Sequence, residues 1–202
     1  KKKKDQDFVN ALTTNLTRFF REDHHFDHLT SYVAGLIAKP QRVGKGAKPR
    51  LRIWSAGCST GQEPYTIALS LLSAFPELKR WDFRILATDI DSNVVNKAAR
   101  GVYPASELNG LSSQRAALFE KLGIEAWPVS GPFDAIFCRN VAIYFDKPTQ
   151  GMLFDRLGQV LAPDGFLYIG HSENLQAVSK GFKLVGKTVY QRKANADAKD
   201  AA

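Results

Sequence analysis

The sequence has no run of eighteen apolar residues and only two cysteines among its 202 residues. The first absence argues against a membrane-spanning helix. The four N-terminal lysines have no apolar stretch close behind them, so a secretory signal is not predicted either, and we expect a cytoplasmic protein. Cys58 and Cys138 stand alone at predicted strand ends, and in a cytosolic protein such thiols are packing residues more often than a disulfide.

Two common phosphate-binding motifs are also missing. Gly57 and Gly61 are four residues apart, which is not the spacing of the G-x-G-x-x-G dinucleotide fingerprint, and no Gly-Lys-Ser/Thr follows as in a P-loop. Glu63 puts a negative charge at the start of the next helix, where it would repel a phosphate. These features weaken every interpretation that requires a nucleotide phosphate.

Positive charge is concentrated near the N-terminus. Residues 1 to 52 contain twelve Lys or Arg against five Asp or Glu, which gives +7 of the chain's net charge of +8. A basic segment beside a nearly neutral body is typical of proteins that meet nucleic acid, an anionic membrane surface or an acidic protein helix. A solvated surface with a frayed lysine tail explains the charge equally well.

Hydrophobic spacing divides the chain into four parts. It predicts a helix or helix pair over residues 6 to 20 and a second helix over 26 to 38, followed by a connector rich in glycine and basic residues. We therefore predict a helical N-terminal subdomain (1–39), a basic linker (40–50), a main domain (51–193) and a disordered tail (194–202).

Strands alternate with helices after the linker, which favours an α/β fold with a parallel sheet covered on both faces. We find no confident strand between Val102 and Trp127, only one weak helix. The predicted strands cover residues 51–55, 83–88, 133–138 and 165–170, and a hairpin covers 181–192. The predicted helices cover residues 64–75, 92–100, and a segment marked by Leu153 and Leu157 that stops at Pro163-Asp164-Gly165.

Ligands of open α/β sheets bind beyond the carboxyl ends of the strands. The first strand is followed by the glycine loop Ser55 to Gly61, the second by Asp89, and the third by Arg139 and Asn140. Beyond repelling phosphate, Glu63 suits the cationic amino group or the sulfonium of S-adenosylmethionine, and Asp89 suits ribose hydroxyls. Taken singly, a helix-dipole charge explains Glu63 and a loop cap explains Asp89, but the pair favours a nucleoside cofactor.

Three histidines near the N-terminus raise the question of a metal. His24 and His28 lie on one helix face, with His25 and two aspartates between and beside them. No distant third ligand is evident, so we predict a polar helix face and no metal site.

Five segments, in order along the chain, resemble the bacterial chemotaxis receptor methyltransferases, the CheR family. Together they cover nearly all of the chain except residues 105 to 130. They are Thr-Thr-Asn-Leu-Thr-Arg-Phe-Phe-Arg-Glu from residue 13, Trp-Ser-Ala-Gly-Cys-Ser-Thr-Gly-Gln-Glu-Pro-Tyr from residue 54, Ala-Thr-Asp-Ile-Asp from residue 87, Phe-Asp-Ala-Ile-Phe-Cys-Arg-Asn-Val-Ala-Ile-Tyr-Phe from residue 133, and Gly-His-Ser-Glu-Asn from residue 170.

The resemblance implies a class I S-adenosylmethionine-dependent methyltransferase, a Rossmann-like α/β sheet with a small helical N-terminal subdomain. The implied reaction methylates glutamate γ-carboxylates on the cytoplasmic helices of chemotaxis receptors and leaves S-adenosylhomocysteine. The protein is expected to act as a monomer, without nucleic acid or membrane insertion. The implied catalytic residues are Arg21, Arg139 and Tyr144. The implied cofactor-binding residues are Asn15, Thr17, Arg21, Gly57, Glu63, Asp89, Arg139 and Asn140, and His171 is expected to support the site structurally.

The sequence departs from the family in one interval. The family usually inserts a small β-rich subdomain between the third and fourth sheet strands, and this interval is too short to hold it. The Asn-Leu pair expected beside the adenine is also absent, and Ala117-Leu118 is the nearest substitute.

Two other functions stay open on the sequence alone. One is a sensor that binds S-adenosylmethionine without catalysis, and the other is methylation of nucleic acid or of a small molecule. Base methylation calls for an Asn-Pro-Pro-Tyr-like motif or stacking aromatics after the third strand. The residues from Arg139 to Ala142 provide neither.

Overall fold

The computed structural model describes residues 16–39, 47–108 and 132–193. Within these ranges, none of the helices is both long enough and apolar enough to cross a membrane. Asn15, the predicted adenine substitute Ala117-Leu118 and the predicted disordered tail lie outside the described residues.

Helices and strands alternate through most of the described chain. In chain order they are α1 (His24–Ala38), β1 (Arg50–Ala56), α2 (Gln62–Ala74), β2 (Asp82–Thr88), α3 (Ser92–Arg100), β3 (Phe133–Cys138), α4 (Lys147–Val160), β4 (Leu161–Ile169), β5 (Phe182–Gly186) and β6 (Val189–Arg192). Short 3₁₀ helices cover Pro76–Arg80, Ala105–Leu108, Ala142–Tyr144 and Leu175–Ala177.

The six strands form one sheet in the order β2-β1-β3-β4-β6-β5. Strands β3 and β4 pair in parallel, whereas β6 runs antiparallel to both of its neighbours. A mixed sheet with interleaved helices confirms the predicted α/β class. The chain packs as two compact units, a first unit of residues 1–51 and 55–129 and a second unit of residues 52–54 and 130–202.

Apolar side chains fill the first unit. Helix α1 packs on α2, and both helices carry fully buried side chains, among them Leu29, Val33, Ile67 and Leu71. The predicted boundaries of α3 are confirmed. Its Asp91 cap accepts a hydrogen bond from the Asn93 N–H, and its end is marked by Gly101 at φ 62°.

The second unit has its own core. Most residues of β3 and β4 are buried, and the rings of Phe137 and Tyr168 stack 4.2 Å apart. The predicted hairpin is confirmed, with β5 and β6 paired antiparallel. Both cysteines are free and buried, as predicted for packing residues.

Two local predictions are wrong. Residues 16 to 20 are not helical, because Phe20 and Glu22 adopt left-handed φ angles of 54° and 56° that reverse the chain. Pro163-Asp164-Gly165 does not stop a helix, because α4 ends at Val160. Those three residues lie instead in β4, where the register with β3 jumps between Leu161 and Phe166.

Candidate active site

The loop after β1 is held against the end of β2. Gly57 and Cys58 both donate their N–H groups to the carbonyl oxygen of Thr88, at 2.8 and 2.9 Å. Gly57 has φ 87°, a conformation that glycine adopts without a steric penalty. This arrangement fixes the glycine loop next to Asp89, the residue that follows Thr88.

Both oxygens of Asp89 accept backbone hydrogen bonds. Oδ2 accepts the N–H of Ser59 at 2.8 Å, and Oδ1 accepts the N–H of Asp91 at 3.0 Å. Each carboxylate oxygen has two lone pairs, so acceptor capacity is left for hydroxyl donors such as those of a ribose. Asp89 therefore caps the loop, as one interpretation of the sequence held, and its carboxylate can still accept hydrogen bonds from a ligand.

Glu63 lies in the first turn of α2 and is oriented by a buried serine. The Ser55 hydroxyl, which has no solvent exposure, donates a 2.7 Å hydrogen bond to Glu63 Oε1. Ser55 was not predicted as a site residue, although it begins the quoted loop. It restrains a carboxylate that a helix-dipole role alone would leave free to rotate.

The pKa of the Cys58 thiol is affected by both acids. Burial, followed in size by the nearby carboxylates of Asp89 and Glu63, raises the pKa of Cys58 from 9.0 to about 12. The thiol is therefore neutral at physiological pH and is not a nucleophile. The first unit thus presents two carboxylates around one glycine loop.

The segment before α1 is anchored to the start of α2. The N–H of Phe20 donates to the Thr66 hydroxyl at 3.2 Å, and the Phe19 ring lies edge-to-face on Tyr103 at 5.0 Å. Arg21, which was predicted to be catalytic, donates through Nη1 to the Leu16 carbonyl oxygen at 2.8 Å. The anchor fixes the backbone beside Arg21, which is half-buried.

Thr17 lines a polar cavity of about 280 Å³ in the first unit. The other lining residues are Arg18, Thr60, Gln62, Lys97 and Glu107. Gln62 is buried and links two of the walls, since it accepts a hydrogen bond from the Thr60 hydroxyl and donates one to Glu107, both at 2.7 Å.

The second unit carries the residues predicted at the end of β3. Arg139 is buried, and Asn140 adopts a left-handed conformation with φ 59°. Tyr144 ends the 3₁₀ helix Ala142–Tyr144 and is 63% exposed, so it is not the core aromatic that a purely structural role requires. Arg21 belongs to the first unit and Tyr144 to the second, and the catalytic roles that the resemblance implies for them stay predictions.

His171 is exposed, and its supporting role stays a prediction. Glu173, in the same Gly-His-Ser-Glu segment, accepts hydrogen bonds from the loop after β3, a role that the sequence did not predict. Near the N-terminus, the structure gathers possible ligand atoms of Glu22, His24 and His25 within 4.8 Å of one another, a group that omits His28. The prediction of no metal site is not tested by this grouping.

Comparison with known proteins identifies the family. The family model described as CheR methyltransferase, SAM binding domain, matches residues 15–120 and 113–191. The chemotaxis protein methyltransferase of Salmonella typhimurium is 42% identical over 212 residues, which covers 92% of this chain and 69% of that protein. The chain belongs to the CheR methyltransferase family.

A CheR relative in Escherichia coli, also named chemotaxis protein methyltransferase, is 39% identical over 212 residues, with 92% of this chain and 70% of that protein covered. Among solved structures, magnesium protoporphyrin IX methyltransferase from Synechocystis with bound S-adenosylmethionine has a TM-score of 0.44 at 16% identity, covering 94% of this chain and 93% of that one.

Membership in the CheR family makes this chain an S-adenosylmethionine-dependent methyltransferase. The donor set of the first unit fits that cofactor. It consists of two carboxylates, Glu63 and Asp89, and the backbone of a glycine loop. These groups suit a cationic amino acid moiety and a ribose diol, and they would repel a phosphate.

Proposed function

We propose that this protein transfers the methyl group of S-adenosylmethionine to glutamate γ-carboxylates on the cytoplasmic helices of chemotaxis receptors, forming methyl esters. The observation that carries the proposal is the pair of restrained carboxylates, Glu63 and Asp89, beside one glycine loop in a CheR-family chain. The net charge of +8 favours an acidic acceptor surface.

The proposed acceptor requires no general base. A glutamate has an ordinary pKa of about 4.3, so its carboxylate is already ionised at neutral pH. When bound, the cofactor supplies a methyl group on a sulfonium sulfur. The protein's task is then to align the acceptor and exclude water. The Cys58 thiol in the glycine loop is given no role as a base or nucleophile, because burial and the neighbouring acids keep it neutral.

We propose division of labour among the predicted residues. Gly57, Glu63 and Asp89 hold the cofactor, together with Asn15, Thr17 and Asn140. Arg21, Arg139 and Tyr144 orient the acceptor carboxylate beside it. Their contribution is positioning, because an ion pair that is stronger with the free carboxylate than in the transition state slows the reaction.

The test uses methyl-labelled S-adenosylmethionine and membranes that contain chemotaxis receptors. The expected product is receptor-bound label that mild base releases as methanol, as a carboxyl ester requires. Label that survives base, or label on nucleic acid, contradicts the proposal. Tight cofactor binding with no transfer to any protein identifies a non-catalytic sensor instead.

Arg21→Ala separates the two groups of residues. We expect turnover to fall by roughly 100-fold, since misplacement of a reacting group has effects of that size, while the affinity for S-adenosylhomocysteine is partly retained. Arg84→Ala is the matched control, because Arg84 pairs at the surface with Asp82. Equal turnover in the Arg21 variant contradicts the proposed role.

A further inference from the structure

Glu173 is buried, with 8% exposure, and its carboxylate accepts four backbone hydrogen bonds. Oε1 accepts the N–H groups of Val141 and Ala142 at 3.1 and 2.7 Å. Oε2 accepts those of Asn140 and Gly170 at 3.0 and 2.6 Å. A carboxylate has about four lone-pair sites, so these donors fill it. Glu173 therefore acts as a structural acceptor that gathers four backbone N–H groups.

The four bonds join two adjacent strand ends. Asn140 to Ala142 follow β3, and Gly170 follows β4, whose Ile169 lies opposite Cys138 of β3. Successive backbone N–H groups that converge on one anion form a stable concave turn. The bonds fix the path of the chain immediately after Arg139.

Gly170 makes room for the side chain of Asn140. A Cβ atom at position 170 would contact Asn140 Nδ2 and approach its Cγ at 2.9 Å and its backbone N at 3.0 Å. Asn140 holds the left-handed backbone conformation that asparagine tolerates better than most residues. Its side chain therefore lies directly against the end of β4.

The far end of the same loop is also fixed. Gln150 of α4 donates through Nε2 to the carbonyl oxygens of Ala142 and Phe145, at 3.0 and 2.9 Å. The turn between these carbonyls carries Tyr144, which is exposed. The backbone that carries the exposed Tyr144 side chain is therefore held by Glu173 on one side and by Gln150 on the other.

We propose that Glu173 is a positioning residue for methyl transfer, because it holds the backbone from Asn140 to Ala142 and so sets the geometry of Arg139, Asn140 and Tyr144. This inference rests on the proposed function, which gives those three residues roles in the reaction. Glu173 itself touches neither cofactor nor acceptor in this account.

The test replaces Glu173 with Gln in the full chain. The amide has nearly the same shape, but its NH₂ group faces N–H donors and cannot accept from them. We expect the turnover number for receptor methylation to fall by about ten-fold or more, consistent with the loss of hydrogen bonds to a charged group. The affinity for S-adenosylhomocysteine should change by less than about three-fold, because the main cofactor-binding residues belong to the first unit.

Hydrogen exchange gives a readout that does not depend on activity. In Glu173→Gln, amides 140 to 142 should lose protection while the amides of β3 and β4 keep theirs. Glu173→Asp keeps the charge on a shorter stem and should restore part of both the protection and the turnover. If Glu173→Gln does not fold, the Asp variant carries the same comparison.

Asp134→Asn is the matched control. Asp134 also accepts a backbone hydrogen bond in the second unit, from the Arg52 N–H at 2.6 Å, but it lies near the amino end of β3. We expect lower stability and an unchanged turnover number per folded molecule. Unchanged turnover in Glu173→Gln overturns the proposal, as does a loss that only follows the folded fraction. A wild-type protein that forms no methyl ester refutes the proposed function, and the exchange data then still decide whether Glu173 orders the loop.

Discussion

Ser55 and Glu63 are joined by a 2.7 Å hydrogen bond from a fully buried hydroxyl to a half-buried carboxylate. Ser55 ends the buried part of β1, and Glu63 lies in the first turn of α2. The hydrogen bond therefore restrains the orientation of the Glu63 carboxylate.

Ser55→Ala should weaken cofactor binding without unfolding the protein. Removal of a hydrogen bond to a charged group costs about 1.5–3 kcal/mol where the group stays buried. Because Glu63 is half-buried, we expect the lower end, a roughly ten-fold rise in Kd. Isothermal titration with S-adenosylmethionine measures it. Ser31→Ala is the control, since the Ser31 hydroxyl donates to the Asp27 carbonyl oxygen at an exposed position of α1. A Kd equal to wild type in Ser55→Ala contradicts the role of the Ser55 hydrogen bond.

Glu63→Gln should reduce the affinity for both S-adenosylmethionine and S-adenosylhomocysteine by about ten-fold, as loss of one charge-assisted hydrogen bond predicts. The amino group common to both molecules explains the shared loss. A larger loss for S-adenosylmethionine alone would assign Glu63 to the sulfonium. Glu77→Gln, on the 3₁₀ helix Pro76–Arg80, serves as the charge-matched control. Affinities that do not change for either molecule contradict the assignment of Glu63.

Gly61→Ala should destabilise the protein by roughly 2–4 kcal/mol, because it combines backbone strain with overpacking. Gly61 has φ 100°, and a Cβ atom there would collide with the Tyr103 hydroxyl and lie 2.8 Å from Ala98 Cβ. Urea denaturation gives the free energy of unfolding. Gly35→Ala makes the same chemical change on helix α1, where a Cβ atom meets no neighbour. There it should raise the free energy of unfolding by about 0.5–1 kcal/mol, because alanine favours a helix over glycine. Equal effects at the two positions would refute this packing argument.

Stability should fall as the pH rises above 9. The folded protein raises the pKa of Cys58 from 9.0 to about 12 through burial and the adjacent acids. The unfolded chain therefore loses this proton first, and stability that is complete below pH 9 is lost as the pH approaches 12. Burial raises the pKa of Tyr65 in the same direction. Urea titrations at pH 8 and 10 should show a smaller decrease in Cys58→Ala than in wild type, and an identical decrease contradicts the assignment to this thiol.

The sequence was a good guide to elements whose signals are local. The bounds of β3 and the Asp91 cap of α3 are as predicted, because apolar runs, caps and glycine stops act over a few residues. Helical spacing failed at residues 16 to 20, where the Phe20 N–H bonds to Thr66, forty-six residues away. A tertiary hydrogen bond of that kind leaves no periodic trace in the sequence.

The candidate site also combines residues with a local sequence signal and residues that depend on tertiary contacts. Asp89 and Glu63 were predicted because they follow strand ends, where ligands of α/β sheets bind. Ser55 and Glu173 were not, since each acts through a partner that only the folded chain brings near. Glu173 in particular binds backbone N–H groups that are about thirty residues away in sequence, and backbone groups have no residue-type signature.

Titration of S-adenosylmethionine into wild type, Asp89→Asn and Asp91→Asn tests the central claim most directly. The account predicts that Asp89→Asn raises Kd by about ten-fold or more, because the amide loses both the charge and one acceptor. Asp91→Asn should bind like wild type, since asparagine caps α3 as well as aspartate does. Equal affinity in wild type and Asp89→Asn would contradict the placement of the cofactor on the loop between β1 and α2.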